Sequence, residues 1–312
     1  MIRNFRMMVR RAAALGPKTV AVIAPQESSS VEAIEEARRK GLARGVLIGH
    51  RALIEQMLRQ AGADPAGHEI IDERDMDRAA DRGAEMAAAG EVDILLKGGI
   101  STNRLLQAVL KGPRTLRTGR LMSDVALFED RREGVRKIMM LSDGGVNVAP
   151  DLKEKIQIIR NAVAVAHALG IPVPRVAILS GVEKVQPEVR STVDALALAK
   201  ICSYGEVPGC VVDGPFALDN AISPEAAKIK KVESPVAGEA DILIMPDLEA
   251  GNIFGKSLVY YAGRDLAHVI VGARVPILIS SRSDPPAARL ASIALGVLMV
   301  EEARKREEEA KP

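Results

Sequence analysis

The sequence has very few aromatic side chains, and this shortage limits the ligands that the protein can recognise. Its 312 residues include no tryptophan, only 2% are aromatic, and the formal net charge is +2. Proteins that bind single-stranded nucleic acid stack bases on aromatic rings within a strongly basic groove. The composition therefore argues against a nucleic-acid partner. Hydrophobic residues still make up 47% of the chain, so the core must be aliphatic.

Cysteine and histidine are also scarce. The chain has two cysteines, Cys202 and Cys210, and its four histidines are scattered. A secreted disulfide-rich domain would carry more cysteines in a shorter chain, and one C-x₇-C pair is not a zinc-ligand spacing. We therefore expect two inert thiols and no metal site.

No apolar run in the sequence approaches the roughly 18–20 residues that are needed to cross a bilayer. The N-terminal stretch "MIRNFRMMVRRAAALG" is basic, as a transit peptide would be. Its apolar residues nevertheless recur at helical spacing, at Ile2, Phe5, Val9 and Ala12. The following Gly-Pro pair would end such a helix. We interpret the stretch as the first helix of the fold, and expect a cytoplasmic protein without membrane contact.

The usual nucleotide fingerprints are missing, because the chain contains no G-x-G-x-x-G motif. The stretch "AGNIFGKS", residues 250–257, resembles a Walker A loop, but Ala250 stands where the first glycine belongs. Such a loop needs that glycine to wrap its backbone N–H groups around phosphate. We therefore predict no nucleoside triphosphate site. Gly251 and Asn252 are instead predicted to start a helix whose N-terminus attracts phosphate, with Lys256 one turn further on.

Short apolar runs alternate with helical patterns along most of the chain. Strand candidates include "KTVAVIA", "VDILLKGG", "RVAILSG", "DILIMPD" and "HVIVGARVPILIS". A long helix is predicted from Asp151, where Asp151 and Glu154 have the spacing of a capping box. This alternation predicts an α/β fold with mainly parallel sheets. About nine strands suggest two domains, and the charged stretch "FEDRREGVRK" places a domain crossing near Glu133.

Polar and flexible residues follow several of the predicted strands. They are Lys97-Gly98-Gly99, Ser142 to Gly145, Asp213-Gly214, Pro246-Asp247 and Ser281 to Asp284. Parallel sheets bind ligands at the carboxyl ends of their strands, so this pattern indicates a polar ligand. In the last of these stretches Arg282 offers a forked donor set for phosphate or an oxyanion, and Asp284 could act as a base. The residue types equally allow a surface arginine and an aspartate that caps the final helix.

Six stretches, which occur in one order between about Lys18 and Leu298, carry a family resemblance. They are "LLKGGISTNRLLQAVL", "LRTGRLMSDVALFE", "LSDGGVNVAPDLKEKI", "GCVVDGPFALDNAIS", "PVAGEADILIMPDLEAGNIFGKSLVYYAG" and "GARVPILISSRSD". The series resembles the phosphate acetyl/butyryltransferase family, and in particular its butyryltransferase branch. This resemblance implies reversible conversion of acyl-CoA and phosphate to acyl phosphate and CoA, with short acyl chains. It implies no metal, no tightly bound cofactor and no covalent enzyme intermediate.

The resemblance also implies a fold like that of isocitrate dehydrogenase, with two α/β domains flanking a cleft and a typically dimeric assembly. In that fold the chain returns to its first domain at the end. We therefore predict a discontinuous first α/β domain at residues 1–134 and 272–312, and a second α/β domain at residues 135–271. The expected partners are acyl-CoA, phosphate and a second copy of the chain.

The family assigns catalysis to a serine, an arginine and an aspartate, which match Ser281, Arg282 and Asp284. Asp284 would take the proton of the CoA thiol, while Arg282 and Ser281 would stabilise the oxyanion formed at the acyl carbonyl. The leaving phosphate also needs cations. Lys256 is the best candidate after Arg282, and Asn252 lies beside it in sequence.

Two departures from the family pattern bear on phosphate binding. The helix after "GGIST" usually carries an arginine at the position of Gln107, and Arg104, one turn earlier, could replace it. Asp124 stands where the family pattern has histidine. Two alternatives therefore stay open. One is a dehydrogenase of the same fold that needs a nucleotide and a metal, and the other is a ligand sensor without catalytic activity.

Overall fold

The computed structural model describes residues 1–111, 116–280 and 284–309. The elements up to residue 111 are α1 (Phe5–Ala13), β1 (Lys18–Ile23), α2 (Ser28–Arg39), β2 (Ala43–Gly49), α3 (Arg51–Gln60), a 3₁₀ turn (Pro65–Gly67), β3 (Glu69–Asp72), α4 (Met76–Ala89), β4 (Ile94–Lys97) and α5 (Thr102–Leu110). Those that follow are β5 (Ser123–Asp130), β6 (Lys137–Ser142), α6 (Leu152–Ala168), β7 (Arg175–Leu179), α7 (Arg190–Ser203), β8 (Val211–Phe216), α8 (Leu218–Ile222), α9 (Pro224–Ile229), β9 (Ile242–Ile244) and α10 (Leu248–Tyr260). The last three are β10 (Ala267–Val271), β11 (Ile277–Leu278) and α11 (Pro286–Glu309).

The chain divides into two compact units. The first unit comprises Phe5–Arg120 and Asp265–Pro312, and the second comprises Met1–Asn4 and Leu121–Arg264. These boundaries differ from the predicted ones near residues 134 and 271. The "FEDRREGVRK" stretch is the turn of an antiparallel hairpin in which Asp130 of β5 pairs with Lys137 of β6. Its charges therefore belong to an exposed turn inside the second unit and do not mark a crossing.

In the first unit the strand order is β3-β2-β1-β4-β11-β10. The first five strands are parallel to one another, and β10 is antiparallel to β11. Residues Val20 to Ile23 of β1 are fully buried, and each such Val or Ile contributes about 1.5–3 kcal/mol relative to an exposed one. Because β1, β4 and β11 run in one direction, their carboxyl ends lie at the same edge of the sheet. We call this the first-unit edge.

In the second unit the strand order is β5-β6-β9-β7-β8, with only β5 antiparallel to its neighbour. The carboxyl ends of β6, β9, β7 and β8 therefore lie at one edge, which we call the second-unit edge. The α6 helix begins at the predicted capping box, where the Asp151 side chain accepts from Glu154 N at 2.8 Å.

The mainly parallel α/β fold is thus confirmed, although several details differ from the predictions. The described residues contain eleven strands, because β5 was not predicted and the "HVIVGARVPILIS" stretch forms two strands. At the N-terminus, α1 begins only at Phe5, and Ile2 N instead donates to Leu169 O at 2.9 Å. None of the described helices is long and apolar enough to span a membrane.

Candidate active site

The first-unit edge is shaped by a close approach of the ends of β1 and β4. Gly98 N donates to Ile23 O at 2.9 Å, and Gly99 N donates to Ala24 O at 2.7 Å. A Cβ atom on Gly98 would lie only 2.6 Å from both of these carbonyl oxygens. Only glycine permits this approach, which explains why Gly98 follows directly on β4.

Lys97 places a buried cation at this edge. The residue is only 6% exposed, and its Nζ donates to Gly98 O at 3.3 Å and to Ile100 O at 3.4 Å. Lysine is almost never this buried without partners that compensate its charge. The sequence drew attention to this residue only as the end of a strand, whereas the structure adds it to the positively charged groups of the edge.

Two described residues of the "SSRSD" stretch, Ser280 and Asp284, lie between the end of β11 and the start of α11. Ser280 is 3% exposed, and Asp284 is half-buried two residues before the start of α11. The backbone after Asp284 is fixed, because Ala288 N donates to Pro285 O at 3.1 Å. The predicted catalytic residues Ser281 and Arg282 lie outside the described residues.

Arg289, in the first turn of α11, is a further charged residue of this region. It has no exposed surface and is the largest fully buried side chain among the described residues. Its Nη1 donates to Ser30 Oγ at 2.9 Å, and its Nη2 lies 3.3 Å from Glu27 Oε1. Sequence reasoning missed it, although an arginine inside the apolar run "AARLASIAL" was a signal that could have identified it.

Arg104 and Gln107 lie on α5, whose first turn is capped by the side chain of Ser101. The Arg104 guanidinium is held between two carboxylates of α4, at 2.7 Å from Asp77 and 2.9 Å from Asp81. Burial lowers the pKa of Arg104, but the hydrogen bonds and charges of Asp81 and Asp77 outweigh it and raise that pKa overall. Its Nη1 has no hydrogen-bond partner among the described residues. Gln107 is exposed.

Asp143 occupies the second-unit edge directly after β6. Its Oδ1 accepts from the backbone N–H groups of Gly145 and Val146 at 2.8 and 2.9 Å, and its Oδ2 accepts from Asn147 Nδ2 at 2.6 Å. Asp124 N donates to the same Oδ2 at 3.2 Å. Burial, reinforced by the charge of Asp124, raises the pKa of Asp143 to about 6. The "SDGG" stretch is therefore a loop closed around a buried carboxylate.

The segment that resembles a Walker A loop is helical throughout. Asp247 caps α10, since its Oδ1 accepts from Ala250 N at 2.8 Å, and the helix begins at Leu248. The prediction that Gly251 and Asn252 start the helix is therefore wrong, because the aspartate provides the cap three residues earlier. Asn252 Nδ2 donates to Gly144 O at 3.2 Å, and Lys256 is exposed one turn further along.

Other polar candidates have local roles. The Asp213 Oδ1 accepts from Gly214 N at 2.8 Å. No three His, Cys, Asp or Glu side chains in the described part of the chain are grouped closely enough to hold a metal ion. Burial raises the pKa of Cys202 and of Cys210 to about 11. Both thiols are therefore protonated at neutral pH and poorly nucleophilic.

Comparison with known proteins identifies the family of this chain. The family described as "Phosphate acetyl/butaryl transferase" matches residues 74–297. The chain belongs to this family. The match confirms the resemblance seen in the sequence and the prediction of a phosphate acyltransferase.

Individual relatives match almost the whole chain. It is 41% identical to a phosphate butyryltransferase of Clostridium beijerinckii, over 96% of this chain and 98% of the relative. It is 37% identical to a phosphate acetyltransferase of Rhizobium meliloti, over 97% of this chain and 95% of the relative. The crystal structure of a branched-chain phosphotransacylase from Enterococcus faecalis V583 superposes with a TM-score of 0.79 at 27% identity, covering 91% of this chain and 99% of the other.

Proposed function

We propose that this phosphate acyltransferase exchanges a short acyl group, of the butyryl type, between CoA and inorganic phosphate. The observation that carries the proposal is the similarity to a phosphate butyryltransferase over almost the full length of both chains. The chain is also similar to phosphate acetyltransferases. The preference for a butyryl group over an acetyl group is therefore the more specific part of the proposal. CoA and phosphate are substrates here, and no tightly bound cofactor is required.

Asp284 is the proposed general base. In the direction of acyl-CoA synthesis, the sulfur of CoA forms a bond to the carbonyl carbon of the acyl phosphate, and Asp284 accepts the thiol proton. The tetrahedral intermediate then collapses, the bond from carbon to the phosphate oxygen breaks, and phosphate leaves. A free thiol ordinarily has a pKa of about 8.5 and attacks as thiolate, so a base beside it accelerates the step. The half-buried position of Asp284 at the first-unit edge supports this role.

Arg282 and Ser281 are proposed to stabilise the oxyanion of the tetrahedral intermediate. The guanidinium is permanently charged and donates two parallel hydrogen bonds, which suits both an oxyanion and a phosphate. Loss of one such donor typically lowers the rate by about 10²–10³. Two buried cations of the same unit, Lys97 and Arg289, support the assignment, because they place positive charge at the end of β4 and at the start of α11.

Lys256, Asn252, Arg104 and Gln107 are proposed to bind the phosphate or the acyl-CoA. Lys256 and Asn252 are exposed and four residues apart, so they share one face of α10. Arg104 has an N–H donor left, but Asp77 and Asp81 compete with any anion for its guanidinium. Its contribution is therefore expected to be smaller than that of Arg282.

We further propose that the two compact units are the two domains of an isocitrate dehydrogenase-like fold, with a cleft between them as the resemblance implies. A homodimer is proposed as well. Apolar side chains of α10 and of its C-terminal end are unusually exposed, with Ile253 at 70%, Tyr260 at 69% and Tyr261 at 94%. Exposed apolar groups of this kind mark interaction sites. A cytoplasmic location is proposed, where acyl-CoA is available.

The test is release of CoA from a series of C2 to C8 acyl-CoA substrates. The proposal expects release that requires phosphate, is unchanged by EDTA and is fastest with a short chain such as butyryl-CoA. Purified protein that releases no CoA from any of them at saturating phosphate would contradict the function. Activity with acetyl-CoA but not with butyryl-CoA would contradict only the acyl length.

A further inference from the structure

The Arg289 side chain occupies a position that needs an explanation beyond helix packing. A fully buried guanidinium is costly unless it is paired, and an apolar side chain of similar volume often serves stability equally well. Arg289 is nevertheless retained in an otherwise apolar stretch of α11, with 0% exposure. Its hydrogen bonds go to a second element of the first unit, so they link two parts of the edge.

One end of this link is the start of α2. Ser30 Oγ, which accepts from Arg289, itself donates to Glu27 Oε1 at 3.0 Å. Glu27 is the N-cap residue of α2 and follows closely on the end of β1. Its carboxylate is thus fixed by two donors, the hydroxyl of Ser30 and the guanidinium of Arg289. A carboxylate at a helix N-terminus is also favoured by the helix dipole.

The other end of the link is the first turn of α11, which begins two residues after Asp284. The amides of Ala288 and Arg289 both donate to Pro285 O, at 3.1 and 3.3 Å. Proline fixes its own φ angle and restricts the residue before it to extended backbone. Few backbone torsions therefore remain variable between Asp284 and Arg289. The Arg289 side chain anchors the first turn of α11 to Glu27 and Ser30, so we expect that loss of this anchor shifts the backbone of Asp284, two residues before the helix.

We propose that Glu27, Ser30 and Arg289 form a positioning cluster that fixes the Asp284 carboxylate relative to the first-unit edge. Glu27 and Arg289 are positioning residues in this account, because they act through the backbone of Asp284 and not on the substrate. The inference rests on the proposed role of Asp284 as base. According to this inference, Glu27, which follows the carboxyl end of β1, affects the rate at which Asp284 accepts the thiol proton.

The test compares Glu27→Gln in two backgrounds, the natural chain and the Asp284→Asn variant. Glutamine keeps the shape of the side chain but removes the charge that holds Arg289. We expect kcat to fall about tenfold in the natural background, since small misplacements of a reacting group can cost up to about 10²-fold. The KM for CoA should stay within about twofold. In the Asp284→Asn background, Glu27→Gln should change kcat by less than about twofold, because effects that pass through one residue are not additive.

A matched control comes from the buried ion pair of the second unit. Lys155 Nζ lies 3.3 Å from Asp194 Oδ2, and both side chains are largely buried. Asp194→Asn makes the same change of carboxylate to amide, and should lower the midpoint of urea unfolding without changing kcat of the folded protein. Arg289→Lys should retain more of kcat than Arg289→Met, with circular dichroism confirming that each variant is folded.

The outcomes separate this inference from the proposed function. If Glu27→Gln leaves kcat unchanged, or lowers it by the same factor in both backgrounds, the positioning cluster is contradicted while Asp284 remains the base. If Asp194→Asn lowers kcat as much as Glu27→Gln does, the effect is one of general stability and the inference is also contradicted. If Asp284→Asn itself leaves kcat unchanged, the base assignment and the positioning cluster are both wrong.

Discussion

The two units build similar sheet edges but bury opposite charges there. The first-unit edge buries the cations Lys97 and Arg289, whereas the second-unit edge buries the carboxylates Asp124 and Asp143. Both edges lie at the carboxyl ends of parallel strands, so topology alone does not distinguish them. The charge that each unit buries at its edge, and not its strand order, therefore indicates which edge is suited to an anionic substrate.

The Asp143 carboxylate of the second unit is satisfied within its own loop. It accepts from the backbone N–H groups of Gly145, Val146 and Asn147. Ser142 Oγ also donates to the backbone carbonyl oxygen of Asp124 at 2.7 Å, which ties the start of the loop to β5. A Cβ on Gly145 would lie 2.9 Å from Asp124 Oδ2, so the loop packs directly on the second carboxylate. We infer that the loop around Asp143 is primarily structural, and we propose that proton transfer depends on the first-unit edge.

The largest expected effect concerns Asp284, the proposed base of the first-unit edge. We expect Asp284→Asn to lower kcat by about 10²–10⁴ and to change KM little, because a base acts in the transition state. The substitution is nearly isosteric and should preserve the fold. Steady-state kinetics with butyryl phosphate and CoA provides the measurement.

The control for this variant is Asp265→Asn, an exposed carboxylate of the same unit. Its kcat should equal that of the natural protein. If Asp284→Asn lowers kcat by less than about threefold, the effect is well below the usual contribution of a base. Asp284 would then be a helix-capping residue and not the base.

The second prediction concerns the stability of the second-unit edge. The pKa of Asp143 is about 6 in the folded protein against an ordinary 3.8, so the folded state binds this proton more tightly than the unfolded state. The contribution of Asp143 to the free energy of unfolding is therefore greatest below about pH 4 and is lost as the pH rises through 6. The loss is roughly 3 kcal/mol for a shift of about two units.

Asp124→Asn should reduce this loss, because it removes the neighbouring charge that helps to raise the pKa of Asp143. Urea unfolding between pH 4 and 7 measures the difference between variant and natural protein. Asp213→Asn, a substitution in the same unit, should leave the pH dependence unchanged. If the unfolding free energies of Asp124→Asn and of the natural protein depend on pH in the same way, the carboxylates of Asp124 and Asp143 are not coupled.

The third prediction tests whether α5 contributes to phosphate binding, as we propose for Arg104 and Gln107. Arg104→Ala removes one positive charge and leaves Asp77 and Asp81 without their partner, so we expect the KM for phosphate to rise about tenfold, as for one charged hydrogen bond. Gln107→Arg should lower that KM, because charged hydrogen bonds are roughly twice as strong as neutral ones. The exposed Arg59→Ala serves as control. An unchanged KM in both variants would remove α5 from the phosphate site.

The smallest effect is expected at Lys256. It is an exposed residue in the middle of α10, so Lys256→Ala should raise the KM for phosphate by only about threefold, as for a weak exposed charge pair. Calorimetry with Mg-ATP should detect no saturable binding at millimolar concentrations. Tight ATP binding that Lys256→Ala abolishes would show that the segment acts as a nucleotide site after all.

The sequence predicted the features that depend on local pattern. The alternation of strands and helices and the capping box at Asp151 both follow from short-range physics. Features that depend on contacts distant in sequence were not predicted. The ion pairs of Arg104 with α4, and of Arg289 with Glu27, join residues that only the folded sheet brings together. The hairpin of β5 and β6 was missed for a related reason, since its charged turn resembled a linker.

The central claim is that the acyl group passes directly between CoA and phosphate, and phosphorus NMR tests it most directly. With butyryl-CoA, phosphate and EDTA, the account predicts that the phosphate resonance declines while an acyl phosphate resonance grows. One CoA thiol should be released for each acyl phosphate formed. Release of CoA thiol without any acyl phosphate, in protein that is folded and stable, would mean that water or another group accepts the acyl chain, and would contradict the account.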